Sequence, residues 1–463
     1  MRNQSLATFA LGSILGTLAL SACNLDVPDL NNASLTDLEN NPTAISVGAA
    51  ATGLLIGNRG NHALENGYVV QLGILGREAY NFDNADPRFV GELLVGALNP
   101  GSPFGGNFWS LEYANIELGN IITHALDKLP SSELTDVQKS GVLGFTHTIQ
   151  ALDLLEVIAT HDTNGAVIDT DHDPLAPLGA IVDKPTTYAK IVDLLDTGNA
   201  ELAAAGSGLF PFELSKGFED FAAPSAFTKL NRAIRARVAA YLGDYPTVLT
   251  ALADSFLVDN LGIDLDAGVF YTYTTKSGDA TNQLLNPNIY VHPSIATDAQ
   301  PGDMRLIRKT ILAAVAGKRD ATLKFALYPD PDSSVSLIRN EELILLKAEA
   351  LYMTGMTGPA LAELNLVRTQ SGGLPALTGT PDMATFVTEL LYEREFSLLF
   401  EGHRWIDARR LGQLAKLPIY VTVDPDTNEM TPDTLNVRYP IPLPECNARP
   451  GEPRCTLGST DSM

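Results

Sequence analysis

Positive charge is scarce in this chain. Its 463 residues hold 31 Lys and Arg against 55 Asp and Glu, a formal net charge of −24. Binding to nucleic acid or to an anionic lipid surface draws its affinity from a basic patch, so both are disfavoured. The acidic excess is dispersed rather than gathered in a tail, and reads as a solubilising surface. Histidine is sparse too, with seven in all, and no zinc-hydrolase spacing joins them. No phosphate-cradling glycine loop, dinucleotide fingerprint or Gly-x-Ser-x-Gly elbow occurs. Enzyme chemistry is disfavoured on these grounds, and neither a cofactor nor a metal is indicated.

Cysteine occurs three times. Cys23 follows Arg2 and the uncharged run LATFALGSILGTLAL. That run is about 15 residues, short of the roughly 20 that a spanning helix needs. A charged start, a short apolar core and small residues at its end describe a secretory signal. The Leu-Ser-Ala-Cys at its end resembles a bacterial lipoprotein box, in which cleavage precedes an acylated Cys. The expectation is a signal peptide over 1–22, a lipidated Cys23, a polar tether over 23–41 and a folded body over 42–463. An ordinary signal peptide with an incidental Cys is the alternative. Cys446 and Cys455 flank a short loop with Pro and Gly. In an exported protein this reads as a disulfide; two free thiols are the alternative.

Beyond residue 42 helical periodicity dominates. Helices are expected after Asn41-Pro42, over FWSLEYANIELGNIITHALDKL and over LTDVQKSGVLGFTHTIQALDLLEVIATH, the last two as an antiparallel hairpin across Pro130-Ser131-Ser132. Further helices are expected over TTYAKIVDLLDTGNAELAAA, on both sides of a turn at Gly243-Asp244, and from 340 to about 413. Residues 81–106 read as a long irregular loop, and 259–335 as loops with short strands. YLGDYPTVLTAL and LYMTGMTGPALAEL share an aromatic, a turn glycine and helical Ala/Leu spacing. They are similar to tetratricopeptide helix pairs, in which small residues let two helices approach closely. The fold class is therefore mostly α: tetratricopeptide-like pairs in one compact body, with long loop insertions and a few short strands.

Several stretches then occur in one order: the lipoprotein box, FWSLEYANIELGNII, NEELILLKAEALYMTG with ALAELNLVR and GG, YEREFSLLFEGHRWIDARRLGQL, and YPIPLPE. This series resembles the SusD/RagB family of outer-membrane nutrient-binding lipoproteins. The piece from Glu393 to Arg410 is the most specific. The resemblance implies a helical body with four tetratricopeptide-like pairs, lipid-anchored at the outer membrane and facing outward. It also implies a lid on a TonB-dependent β-barrel transporter, to which a captured oligosaccharide or peptide is passed. A tetratricopeptide scaffold for envelope assembly and a hydrolase on a helical body are the rival readings; the 393–410 stretch favours capture.

The charges in that stretch suggest an active site at first glance. Helical spacing instead predicts a partly buried ion-pair network, with Arg404 meeting Glu401 and Asp407 at three-residue intervals and Gly402 breaking the helix. Asp162, Asn164, Asp169, Asp171 and Asp173 crowd one loop with His161 and His172, without the spacing of a calcium-binding EF-hand. A solvated acidic loop is expected there. Ligand contact is assigned to loop aromatics and their polar neighbours, since sugar rings stack on aromatic faces: Arg77, Tyr80, Asn81, Phe82 and Phe104 in one loop, Tyr271 and Tyr273 in another. Aromatics outnumber charges in these loops, which favours a glycan over a peptide.

Overall fold

A computed structural model describes residues 35–173, 175–423 and 430–460. Cys23 lies outside these residues, as do the signal segment and most of the tether.

The helical body begins where local chemistry fixes a helix start. Thr43 caps Ala44–Asn58, and Ser46 returns the bond in a capping box. After Ser110–Lys128, Thr135 and Gln138 form a second capping box that opens Asp136–His161. These two helices pack as the expected hairpin, and Lys184–Ala205 lies against the second of them. The 136–161 helix is apolar enough for a membrane span by composition, yet 89% of that window is buried in protein. It is the central rod of the body, which explains why it is apolar almost all round.

Two glycines make the rod possible. A Cβ on Gly144 would sit 2.7 Å from the Gly198 carbonyl, and one on Gly198 would sit 3.0 Å from that of Gly144. The backbones of 136–161 and 184–205 therefore touch where both lack side chains. Asn231 of the next helix, Pro224–Leu242, donates to Thr148 Oγ1 at 2.8 Å and to the Leu195 carbonyl at 3.1 Å. That one buried amide ties three helices together.

The two tetratricopeptide-like segments are the helix pairs Pro224–Leu242 with Tyr245–Ala253, and Asn340–Met353 with Thr357–Gln370. They are far apart in sequence but adjacent in space: 340–353 packs on both helices of the earlier pair. The segment between them forms insertions with short strands. Among the described residues every sheet is a two-stranded antiparallel ladder: 79–81 with 289–291, 166–167 with 181–182, 268–271 with 335–339, 310–312 with 323–325, and 421–423 with 430–432.

Residues 81–106 differ from expectation. Phe89, Leu93, Leu94, Leu98 and Phe104 are buried, around a short helix Arg88–Gly91. This segment folds inward as part of the core. In the C-terminal tail Cys446 and Cys455 are joined, with Cα atoms 5.6 Å apart.

Candidate functional site

The 393–410 stretch forms helix Met383–Ser397, a break, and helix Arg404–Arg410. At the break Phe400 and Gly402 both have positive φ, 58° and 84°. A bulky residue there is strained. Phe400 is held by its ring stack on Phe325, centroids 3.9 Å apart, and by its N–H, which donates to Glu78 at 3.1 Å.

The break re-routes the ion pairs. Arg404 pairs with Glu395 at 2.9 Å rather than with Glu401, and Glu401 accepts from Arg339 at 2.9 Å. Asp407 accepts from Arg394 at 2.7 Å and from Arg410 at 2.8 Å, not from Arg404. The expected three-residue pairs assume one continuous helix, and the turn through Gly402 removes that geometry. Glu393 receives Arg305 at 2.5 Å and Arg368 at 2.9 Å. Burial alone would raise the Asp407 carboxyl, but Arg394 and Arg410 overcome it and hold it at about 2. His403 stands 3.8 Å from Glu342, and burial lowers its pKa. The charges of the motif are held in buried ion pairs and hydrogen bonds, and Glu401 also faces the cleft beside them.

Beside this network opens a cleft of about 500 Å³, walled by Phe270, Tyr328, Arg308, Lys309, Arg339, Glu341, Gln370 and Glu401 among others. The strand 268–271 alternates, burying Val269 and Tyr271 and turning half-buried Phe270 to the cleft. Arg339 is fixed by Glu341 and Glu401. Burial lowers the Lys309 amine to about 8. Tyr328 is locked by its hydroxyl, which donates to the Phe400 carbonyl at 3.1 Å. Gln370 accepts the Gly262 N–H at 2.9 Å through Oε1, while its buried Nε2 makes no hydrogen bond among the described residues. Arg308 is exposed, and its guanidinium donates to the Ser371 carbonyl. An aromatic floor with rigid donors and acceptors around it suits a polar ring that has one apolar face.

The residues assigned to ligand contact lie outside this cleft, and all of them are buried. Arg77 is buried and donates to the carbonyls of Pro418, Ile74 and Thr434 at 3.1, 3.1 and 2.8 Å. Tyr80 is fully buried, and Phe82 packs between it and Tyr290, with centroids at 5.1 and 5.6 Å. Asn81 accepts the Asp83 N–H, and Phe104 packs on Phe89. Tyr271 donates to Asn58 at 2.5 Å, and the Arg59 guanidinium lies over the Tyr273 ring. None of these offers an open ring face, because the loops that hold them are pressed onto the body. The groups are not brought together either: Tyr80 and Phe82 sit under the 310–325 hairpin, Tyr271 and Tyr273 against His62 and Arg59. Sequence reasoning missed Arg308, Lys309, Gln370 and Glu341. Phe270 stood beside the chosen tyrosines, and the strand's alternation is the signal that separates it from Tyr271. In the acidic loop Asp162 is buried and paired with Lys184, and His161 packs on Trp109.

Comparison with known proteins places this geometry. The model of the SusD family matches residues 332–450. A SusD-like protein, P38, from Formosa agariphila is 28% identical over 134 residues, which span 26% of this chain and 26% of that relative. A SusD superfamily protein from Bacteroides vulgatus superposes with a TM-score of 0.67 at 14% identity, covering 90% of this chain and 98% of its own. A laminarin-binding SusD-like protein does so with a TM-score of 0.63 at 17% identity, covering 88% and 97%. A sugar-binding protein from Bacteroides vulgatus, described as putative, gives 0.65 at 18%, covering 89% and 99%. Residues 332–450 thus resemble the SusD family in sequence, this chain spans about a quarter of the curated relative it matches, and nine-tenths of it shares the fold of SusD superfamily structures.

Proposed function

We propose that this chain is a surface lipoprotein that captures an oligosaccharide and passes it to a TonB-dependent barrel. In this reading residues 1–22 are removed, Cys23 carries the lipid, and 23–41 tether the body to the outer membrane. The chain binds its cargo and does not transform it. The observation that carries the reading is the cleft in which Phe270 faces a rigid wall of Arg339, Glu341 and Glu401. Charged side chains already locked in ion pairs present fixed hydrogen-bonding edges to sugar hydroxyls, and lose little entropy on binding. The laminarin-binding relative of the same fold supports a glycan as the cargo.

Isothermal titration with a panel of neutral oligosaccharides and a panel of peptides tests it. An open cleft with one ring platform implies affinities in the micromolar to millimolar range, roughly −8 to −4 kcal/mol. Phe270→Ala is expected to weaken oligosaccharide binding at least tenfold. Peptide binding with no glycan signal would transfer the cleft to peptide capture, and unchanged affinity in the variant would move the site out of it.

A further inference from the structure

One end of the helical body exposes several large apolar side chains. Helices 44–58 and 136–161 both begin there: the Ala44 N–H donates to the Glu133 carboxylate at 3.3 Å, three residues before the second helix starts. The 209–214 loop closes the same end. A Cβ on Gly48 would meet Phe212 at 3.4 Å, one on Gly141 would meet Phe210 at 3.7 Å, and Thr52 Oγ1 donates to the Glu213 carbonyl at 3.0 Å. The short helix Leu35–Asn40 is tied to this end by Lys128, whose ammonium donates to the Glu39 carbonyl at 2.6 Å. Leu35 is 55% exposed, Ile45 85%, Val137 55% and Leu209 75%. Beside Leu209 lies an open groove of about 520 Å³, lined by Phe210, Phe212 and Leu214. Large apolar side chains left in water at one end mark an interaction surface.

We infer that this end rests on a lipid surface, with Leu209 and Ile45 dipping among acyl chains. The inference depends on the lipid anchor in the proposed function. The described chain starts on this face, at Leu35. Cys23 stands about 12 residues earlier, and a fully extended chain of that length reaches roughly 40 Å. An acylated Cys23 therefore keeps the start of the described chain within that reach of the bilayer, where apolar side chains gain by leaving water. Charge narrows the lipid. Glu39, Glu133, Glu213 and Glu219 are exposed around the face and outnumber the exposed Lys128 and Lys216 there, so an anionic headgroup layer repels it and a zwitterionic one does not. Added salt then leaves contact with neutral lipid intact and strengthens contact with anionic lipid, the reverse of a basic membrane-binding patch.

The test uses the full acylated chain in phosphatidylcholine vesicles. A Leu209→Cys variant carries an environment-sensitive fluorophore on its introduced thiol, since Cys446 and Cys455 are bonded to each other. Lipids with a nitroxide quencher near the headgroup are expected to reduce its emission at least twofold. A Val315→Cys label, on the 310–325 hairpin that packs against Tyr290, is expected to keep its emission. Acyl mass on Cys23 without quenching at Leu209 overturns the lipid contact and leaves the anchor standing. Absence of acyl mass removes the anchor, and the lipid contact with it. Equal quenching at both positions denies this face any special role. Protection of Leu209 that appears only with a copurified barrel assigns the face to that protein and overturns the lipid reading.

Discussion

The motif stretch 393–410 and the aromatic loops at 77–108 and 270–273 both drew attention in the sequence, and they turned out differently. The motif is what its pattern said: a buried network of alternating charges that holds helices together. The loops are not what their composition said. A charge in an apolar stripe must find a partner, because burying it alone is too costly, so the sequence of such a stripe already forecasts its fate. An aromatic in an irregular segment carries no such constraint. Whether it faces solvent or core depends on what folds over it, here the 310–325 hairpin, whose Gly317 lies against Phe82 and Tyr290.

The largest test of that difference is the double variant Tyr80→Ala with Phe82→Ala. If these rings were ligand platforms, the loss would fall on binding alone. As core residues they should each cost about 3–5 kcal/mol of stability, with partial coupling because the rings touch. Urea unfolding followed by circular dichroism checks it. A variant as stable as the parent would return these rings to the surface.

Asp407→Ala comes next. It leaves Arg394 and Arg410 buried without their shared carboxylate, a loss of about 3–5 kcal/mol. Asp407→Ala combined with Arg394→Met should recover part of this, because the stranded charge goes with its partner. Equal stability of the single and double variants would mean that Arg410 and Glu349, paired at 2.5 Å, carry the network without Arg394.

These contrasts show where the sequence was legible. The start of the first helix was marked by Asn41-Pro42, the 110–161 hairpin by periodicity and a short turn, and the helix break by Gly402; the capping boxes at Thr43 and Thr135 emerge only in the structure. The partners of Arg404, Glu401 and Asp407 were not readable, since i, i+3 spacing holds only within one helix and Phe400 adds a second reversal that no residue type advertises. The cleft was less legible still. Its wall is assembled from the ends of six segments between 265 and 401, and only packing brings Gln370 and Arg308 to the same rim.

The third contrast lies between buried carboxylates with cationic partners and those without. Burial pushes the Glu78 carboxyl up to about 8, from an ordinary 4.5. Between those values the folded chain keeps a proton that the unfolded chain releases, so stability falls as pH rises from about 4.5 to 8. Asp153 and Glu156, raised by the same cause, add to this slope. Burial would raise Glu341 and Glu342 too, but Arg339 and Arg237 hold both at about 2. Their contribution is complete above 4.5 and disappears as pH falls through about 2. The urea midpoint should therefore peak in mildly acidic buffer. Glu78→Gln should flatten its alkaline side; an unchanged slope would assign it to Asp153 and Glu156 instead.

The smallest effect on stability, and the sharpest contrast, lies between neighbours. Phe270 and Tyr271 are consecutive residues of one strand and point to opposite faces. The Tyr271 hydroxyl donates to Asn58 Oδ1 at 2.5 Å, and Asn58 Nδ2 in turn donates to Asp153 at 2.7 Å. Tyr271→Phe keeps the ring and strands the Asn58 oxygen, which should cost about 1–3 kcal/mol and leave oligosaccharide affinity unchanged. Phe270→Ala removes a half-buried ring from the cleft wall. It should cost about 1 kcal/mol or less, since the side chain gives up little buried area, while binding drops tenfold or more. The two variants thus trade places between a melting curve and a titration. Loss of affinity in Tyr271→Phe with none in Phe270→Ala would put the sugar on the interior side of the strand, against the burial of every ring there.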